Sequence, residues 1–179
     1  LKRKREFDSC IMTEIAKLNL DSQQYKRINR VRMFYNVTLG MEQLQRLGDL
    51  LRAAGAAGYA RVIMIHHAPG PRMDKWRKRL VDAEALASLL AETGAELILH
   101  GHCHESLSRS IAGPQGIIPV LSAPSASATG ERGCSKAGYN RLTITVGERE
   151  VHLAGDGLRL DEAPNWHLET RLNRPGATP

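Results

Sequence analysis

The sequence predicts an α/β domain in which parallel strands are followed by antiparallel ones. Two short apolar runs, Arg61-Val62-Ile63-Met64-Ile65 and Glu96-Leu97-Ile98-Leu99, each follow a stretch whose apolar residues recur at helical spacing. Each run delivers the chain into a histidine-bearing loop. After residue 105 the pattern changes to short apolar segments separated by Gly- and Pro-rich stretches. Continuous apolar runs suit strands buried on both faces, the condition of a parallel sheet covered by helices. Short segments between turn residues suit an antiparallel arrangement.

In residues 1–36, Ile11, Ile15 and Leu18 give a weak helical spacing around 11–20, and residues 31–37 form a candidate strand. Met41, Leu44, Leu47, Leu51 and Ala54 place one apolar stripe on a helix, which Gly55 and Gly58 are expected to end. The strand at 61–65 follows, then His66-His67-Ala68-Pro69-Gly70-Pro71, where the prolines and glycine forbid regular structure. A second helix is expected from the N-cap Asp82, with Leu86, Leu89 and Leu90 inward and a stop at Gly94. The strand at 96–99 leads into His100-Gly101-His102-Cys103-His104. Segments 107–111, 117–121, 139–146 and 150–153 are expected as antiparallel strands flanking the α/β half. From Asp161 the chain reads as an extended tail. The expected organisation is a basic arm at 1–36, the main domain at 37–160 and a tail at 161–179.

Composition narrows the function classes. Residues 1–36 hold nine basic and four acidic residues, so +5 of the formal +6 lies in the arm and the other 143 residues carry only +1. No aromatic interleaving or nucleic-acid motif accompanies the basic arm, so it reads as a solvated end and nucleic acid is not an expected partner. No apolar run approaches the roughly 20 residues that span a bilayer, and no apolar signal core follows the basic start. A cytoplasmic location with no membrane partner is the expectation. Cys10, Cys103 and Cys134 are too sparse for a disulfide framework.

The histidines carry the chemistry. His102 and His104 would point to opposite faces of an extended strand, but on a turn just past a strand end they can converge on a metal. Gly101 is expected to help through its backbone freedom. A third imidazole ends the neighbouring strand in the same topological position: His66, which comes directly off the strand, or His67 beside it. Sites in open α/β sheets lie at these carboxyl ends. His100 reads as buried and hydrogen-bonded, and His152 and His167 have no partner pattern.

The segments Val62-Ile63-Met64-Ile65-His66-His67-Ala68-Pro69 and Leu97-Ile98-Leu99-His100-Gly101-His102-Cys103-His104, with the helix between them, closely resemble the last two motifs of the calcineurin-like metallophosphoesterases. Ile118 to Ser127 followed by Gly138-Tyr139-Asn140 resembles the segment that follows in bacterial members, so the resemblance covers about residues 38–155. Ala68 departs from the proline of the family's His-x-Pro pattern. The resemblance implies half of a metallophosphoesterase-type β sandwich flanked by helices. It also implies divalent cations (Mn, Fe or Zn, two in the family) whose bridging hydroxide hydrolyses phosphomonoesters or phosphodiesters. On that resemblance His66 and His102 are ligands of one ion and His104 a ligand of its partner. No catalytic proton donor is assigned.

Residues 1–60 contain no Asp-x-His, no Gly-Asp-x-x-Asp and no Asn-His, and the single Gly-Asp there, Gly48-Asp49, falls inside the first helix. The expectation is therefore the C-terminal half of such a domain, truncated, holding one ion or none rather than two, and weakly active or inactive unless a dimer or a complementing chain completes the site. The alternative is a non-catalytic remnant or interaction module that keeps the fold and at most one metal. The basic segment Arg72 to Arg79, with Trp76, is a candidate substrate-facing loop weighed against an ordinary solvated one, and the solvated reading is favoured.

Overall fold

A computed structural model describes residues 37–71, 73, 79–130, 136–159, 163–164 and 166–173. The arm at 1–36, most of the basic loop at 72–79 including Trp76, and Cys10 and Cys134 lie outside the described residues. The chain forms α1 (Met41–Ala56), β1 (Val62–Ile65), α2 (Ala83–Thr93), β2 (Leu97–His100), β3 (Leu107–Gly113), β4 (Gly116–Ser122), β5 (Gly138–Val146), β6 (Glu150–Arg159) and β7 (Trp166–Asn173). It is a mixed α/β fold with a parallel and antiparallel sheet and flanking helices.

The first sheet has the order β1-β2-β4-β3. β1 pairs parallel with β2, in the register Ile63↔Ile98, and β2 pairs parallel with β4, Ile98↔Val120. β3 is antiparallel to β4 across the hairpin Gly113↔Gly116. The expectation of antiparallel pairing alone therefore fails for β4. The hairpin sends it back between β2 and β3, because its buried run Ile118 to Ser122 matches the buried β2 on both faces. The second sheet is an antiparallel meander, β5-β6-β7.

Two cores follow from the pleat. Ile63, Ile98, Ile118 and Val120 face Leu44 and Leu51 of α1 and Ala83, Leu86 and Leu90 of α2. On the opposite face Leu97 and Leu121 meet Val151 and Leu153 of β6, joined by Leu142, Trp166, Leu168 and Leu172. The result is helices on sheet on sheet. Within the expected extended tail at 161–179, Trp166–Asn173 is the paired strand β7. Its inward Trp166, Leu168 and Leu172 alternate with outward His167, Glu169 and Arg171, a period-two pattern that buries one face. β1 is also less enclosed than its apolar run suggests. Ile63 is buried, but Val62 is 40% and Met64 80% exposed, because the second sheet reaches over β2 and β4 and not over this edge strand.

Glycine positions refine α1. The helix runs through Gly55 and closes with a Schellman arrangement at Gly58 (φ 76°), in which Tyr59 N–H donates to the Ala54 carbonyl and Gly58 N–H to the Gly55 carbonyl. Gly55 is a packing position rather than a stop: a Cβ there would lie 2.9 Å from the Arg61 guanidinium. That guanidinium is the hub between helices and sheet. It donates to the Glu96 carboxylate through Nε (3.0 Å) and Nη2 (2.6 Å) and to the Thr93 carbonyl through Nη1 (2.6 Å), with the Arg61 and Glu96 side chains both 5% exposed.

Asp82 occupies the N-cap of α2, yet its carboxylate makes no cap bond there. It accepts instead from Thr38 Oγ1 (2.7 Å), Gly40 N–H (2.8 Å) and Leu39 N–H (3.1 Å), fastening the entry to α1. Partial burial alone pushes this carboxyl up, and the Thr38, Gly40 and Leu39 hydrogen bonds together pull it below the usual carboxylate value. A depressed folded-state pKa contributes stability that is present above the unfolded value and is lost as pH falls through the folded one. Asp82→Ala is therefore expected to cost about 1 kcal/mol at neutral pH, and the difference from wild type should vanish in strong acid. Urea denaturation at both pH values checks this. An undiminished gap in acid would show that the loss is not electrostatic.

Candidate metal centre

β1 and β2 are parallel neighbours, with Ile65 opposite His100, so both chains leave the sheet at the same edge. Gly101 N–H donates to the His66 carbonyl at 3.2 Å, which ties the two loops together at their roots. From there His66, His67 and His102 converge. One nitrogen from each lies within 4.8 Å of the other two. His102 Nδ1 is 3.1 Å from His66 Nε2, so one ring donates and the other accepts. The His67 and His102 rings are 4.2 Å apart, and His66 stands nearly edge-on to both, 5.1 Å from His67 and 5.0 Å from His102.

These distances suit metal ligation. At metal–nitrogen distances near 2.1 Å, neighbouring ligand nitrogens in tetrahedral or octahedral geometry lie roughly 3.0–3.4 Å apart. His66 and His102 already stand at that separation. The ligand nitrogen of His67 lies within 4.8 Å of both. Both members of the His66/His67 alternative therefore point into one cluster. They can do so because Pro69 and Gly70 keep the backbone after β1 from continuing as a strand, where adjacent side chains would diverge.

His104 is placed differently. It is exposed and stands outside the trio. His102 and His104 both adopt the left-handed region, with φ of 64° and 55°. The expected backbone freedom of Gly101 is not what turns the loop, since Gly101 has no positive φ while the two histidines after it do. Non-glycine residues adopt a positive φ uncommonly, histidine more readily than most, and such positions cluster at functional sites. Alternating left-handed residues fold the His-x-His segment back, so Cys103 N–H donates to the Gly101 carbonyl at 2.7 Å.

The other histidines are engaged elsewhere. His100 is 8% exposed, and its Nδ1 lies 3.1 Å from the Gly101 carbonyl, as expected for a buried, hydrogen-bonded ring. His152 lies 3.4 Å from Glu169 on the outer face of the second sheet. On the same face Asp156 sits between Arg141 and His167. Its hydrogen bond raises the His167 pKa, and the bonds from His167 and Arg141 lower that of Asp156.

Two clamps hold the far end of the loop. Ser122 Oγ at the end of β4 donates to the Glu105 carbonyl (2.6 Å) and accepts from Leu107 N–H (3.2 Å). Trp166 Nε1–H, from β7 in the other sheet, donates to Ser106 Oγ at 3.0 Å. The sequence reading missed Trp166, whose one signal was the alternating pattern of its own strand.

No protein-family model and no curated protein sequence matches the chain. Among solved structures it is similar to wild-type Vps29 from Entamoeba histolytica complexed with zinc, at 14% identity and a TM-score of 0.30, over 53% of this chain and 47% of that one. It is similar also to a single mutant of Vps29 from the same organism, at 13% identity and a TM-score of 0.30, over 72% of this chain and 88% of that one. The chain thus spans about half the length of the first of these proteins, covering 47% of it.

Proposed function

We propose that His66, His67 and His102 hold one divalent cation and that this centre belongs to phosphoester hydrolysis. The 3.1 Å approach of His102 to His66, at ligand-to-ligand distance, is the observation that carries the proposal. The reaction class rests on the resemblance of the Val62–Pro69 and Leu97–His104 segments to the metallophosphoesterase motifs. Imidazole is a borderline donor that suits zinc, iron and manganese, so the donor set fits such an ion.

A bound cation would polarise a phosphoryl oxygen and acidify water beside it. His66, His67 and His102 would hold that cation at the carboxyl edge of the parallel pair β1–β2. An open concavity lined by Met64, Ile65, His66, Leu99, His100 and Gly101 lies directly beside the cluster and gives a phosphoester room to approach. His104, exposed on the next turn, is the candidate to meet the substrate or a second ion.

One ion is favoured over two. Among the described residues the cluster is three histidines with no carboxylate in it. Two dications about 4 Å apart repel by roughly 16 kcal/mol at an effective dielectric constant near 20, and neutral imidazoles offset none of that charge. The isolated chain is therefore expected to hydrolyse a nitrophenyl phosphoester or phosphodiester slowly or not at all with manganese or zinc added. Measurable turnover by a dimer or a complemented chain, abolished in His102→Ala, would support the hydrolytic reading. Stoichiometric metal uptake with no turnover in any assembly would favour a non-catalytic metal-holding module.

A further inference from the structure

The histidine loop is fastened by the second sheet as well as by the strands it joins. His102 and His104 sit at φ 64° and 55°, a backbone uncommon for non-glycine residues although histidine adopts it more readily than most. Bonds from outside the loop add to what holds it there. At its root the hold is the Gly101–His66 backbone bond. At its far end Ser106 is 5% exposed, and the flanking Glu105 carbonyl and Leu107 N–H are both bonded to Ser122, which is fully buried at 0%. Ser122 fixes only backbone groups. Two side-chain bonds cross the sandwich here: Asn140 Nδ2–H to the Ser122 carbonyl at 3.3 Å, and Trp166 Nε1–H to Ser106 Oγ, joining residues 60 positions apart, which is the one that ends on a side chain of the loop.

We infer that Trp166 and Ser106 are positioning residues of the metal centre. Their hydrogen bond sets the far end of the loop and so the place of His102 against His66 and His67. Trp166 suits this task because its indole ring packs against the second core, alongside Leu168 and Leu172, while its N–H points at the loop. The inference rests on the metal-centre reading above. It adds that β5–β7 is required for metal affinity and not for stability alone.

The test is cobalt(II) titration of the whole chain, followed by visible absorption and calorimetry, with Trp166→Phe, Ser106→Ala, the double variant and the control Leu172→Ala. Outer supports of metal ligands typically contribute 10–100-fold to affinity. Trp166→Phe and Ser106→Ala are each expected to weaken cobalt binding about tenfold or more and to change the visible band. The double variant should bind no more weakly than the weaker single one, because both remove the same bond. Leu172→Ala should lower the melting temperature and keep wild-type affinity. Unchanged affinity in both Trp166→Phe and Ser106→Ala overturns the inference, as does an equal loss in Leu172→Ala, which would mean general loosening. If Trp166→Phe does not fold, Ser106→Ala decides alone, since it leaves the indole packing in place. Absence of cobalt binding by wild type overturns the metal centre itself and this inference with it, whereas wild-type binding with unchanged variants overturns the inference alone.

Discussion

Glu96→Ala is expected to destabilise the chain by about 3–5 kcal/mol, because it strands the Arg61 guanidinium where both partners are 5% exposed. For a domain of this size that is a fall in melting temperature of roughly 6–20 °C. The magnitude follows from asymmetry. An intact buried ion pair contributes little net stability, since desolvation offsets its attraction, but an unpartnered buried charge is costly. The Arg61 guanidinium is also held by the Thr93 carbonyl and packs closely against Gly55. Replacing both residues together, as in Arg61→Met with Glu96→Leu, is therefore expected to recover most of the loss. Urea denaturation of the two single variants and the double one measures the coupling. A Glu96→Ala loss below about 1 kcal/mol would show that the pair is solvated.

His102→Ala is expected to abolish uptake of zinc or cobalt at the cluster, a loss of at least roughly 100-fold in affinity, because a pair of imidazoles cannot complete a stable site. His66→Ala should do the same, since its Nε2 lies 3.1 Å from His102. His67→Ala should do the same, since it too leaves only two imidazoles at the cluster. His104→Ala should leave affinity for the first ion near wild type, because that ring stands outside the trio. All four side chains lie in loops at the sheet edge, so thermal stability without metal should change little. Calorimetric titration of the four variants gives the ranking. Equal losses at His67 and His104, or a dominant loss at His104, would reassign the ligands.

Where local pattern decides structure, the sequence was readable. The apolar runs at 61–65 and 96–99 and the stripe at Met41, Leu44, Leu47, Leu51 and Ala54 each specify one element without help from distant residues, and their common edge brings the histidine loops together. What was hidden depends on long-range partners. Nothing in Ile117 to Leu121 says whether it runs parallel or antiparallel to its neighbour, because a fully buried strand looks the same in either direction. Asp82 reads as a helix cap, but its acceptors are taken by residues 38–40, a choice that only the packed helices decide. The polar flanks of Trp166 to Asn173 obscured a strand whose alternation was present in the sequence. At the site, β1 and β2 were enough to forecast that His66 and His102 meet. The entry of His67 and the place of His104 outside the trio depend on loop torsions, and the left-handed residues are the histidines rather than Gly101.

The most direct measurement of the central claim is anomalous X-ray scattering at the zinc edge from crystals of the whole chain grown with zinc. The account predicts one strong peak about 2.1 Å from a ring nitrogen of each of His66, His67 and His102, with no second peak within about 4 Å of it. A peak on His104 that excludes His67, two peaks sharing the cluster, or no peak at this sheet edge would contradict it.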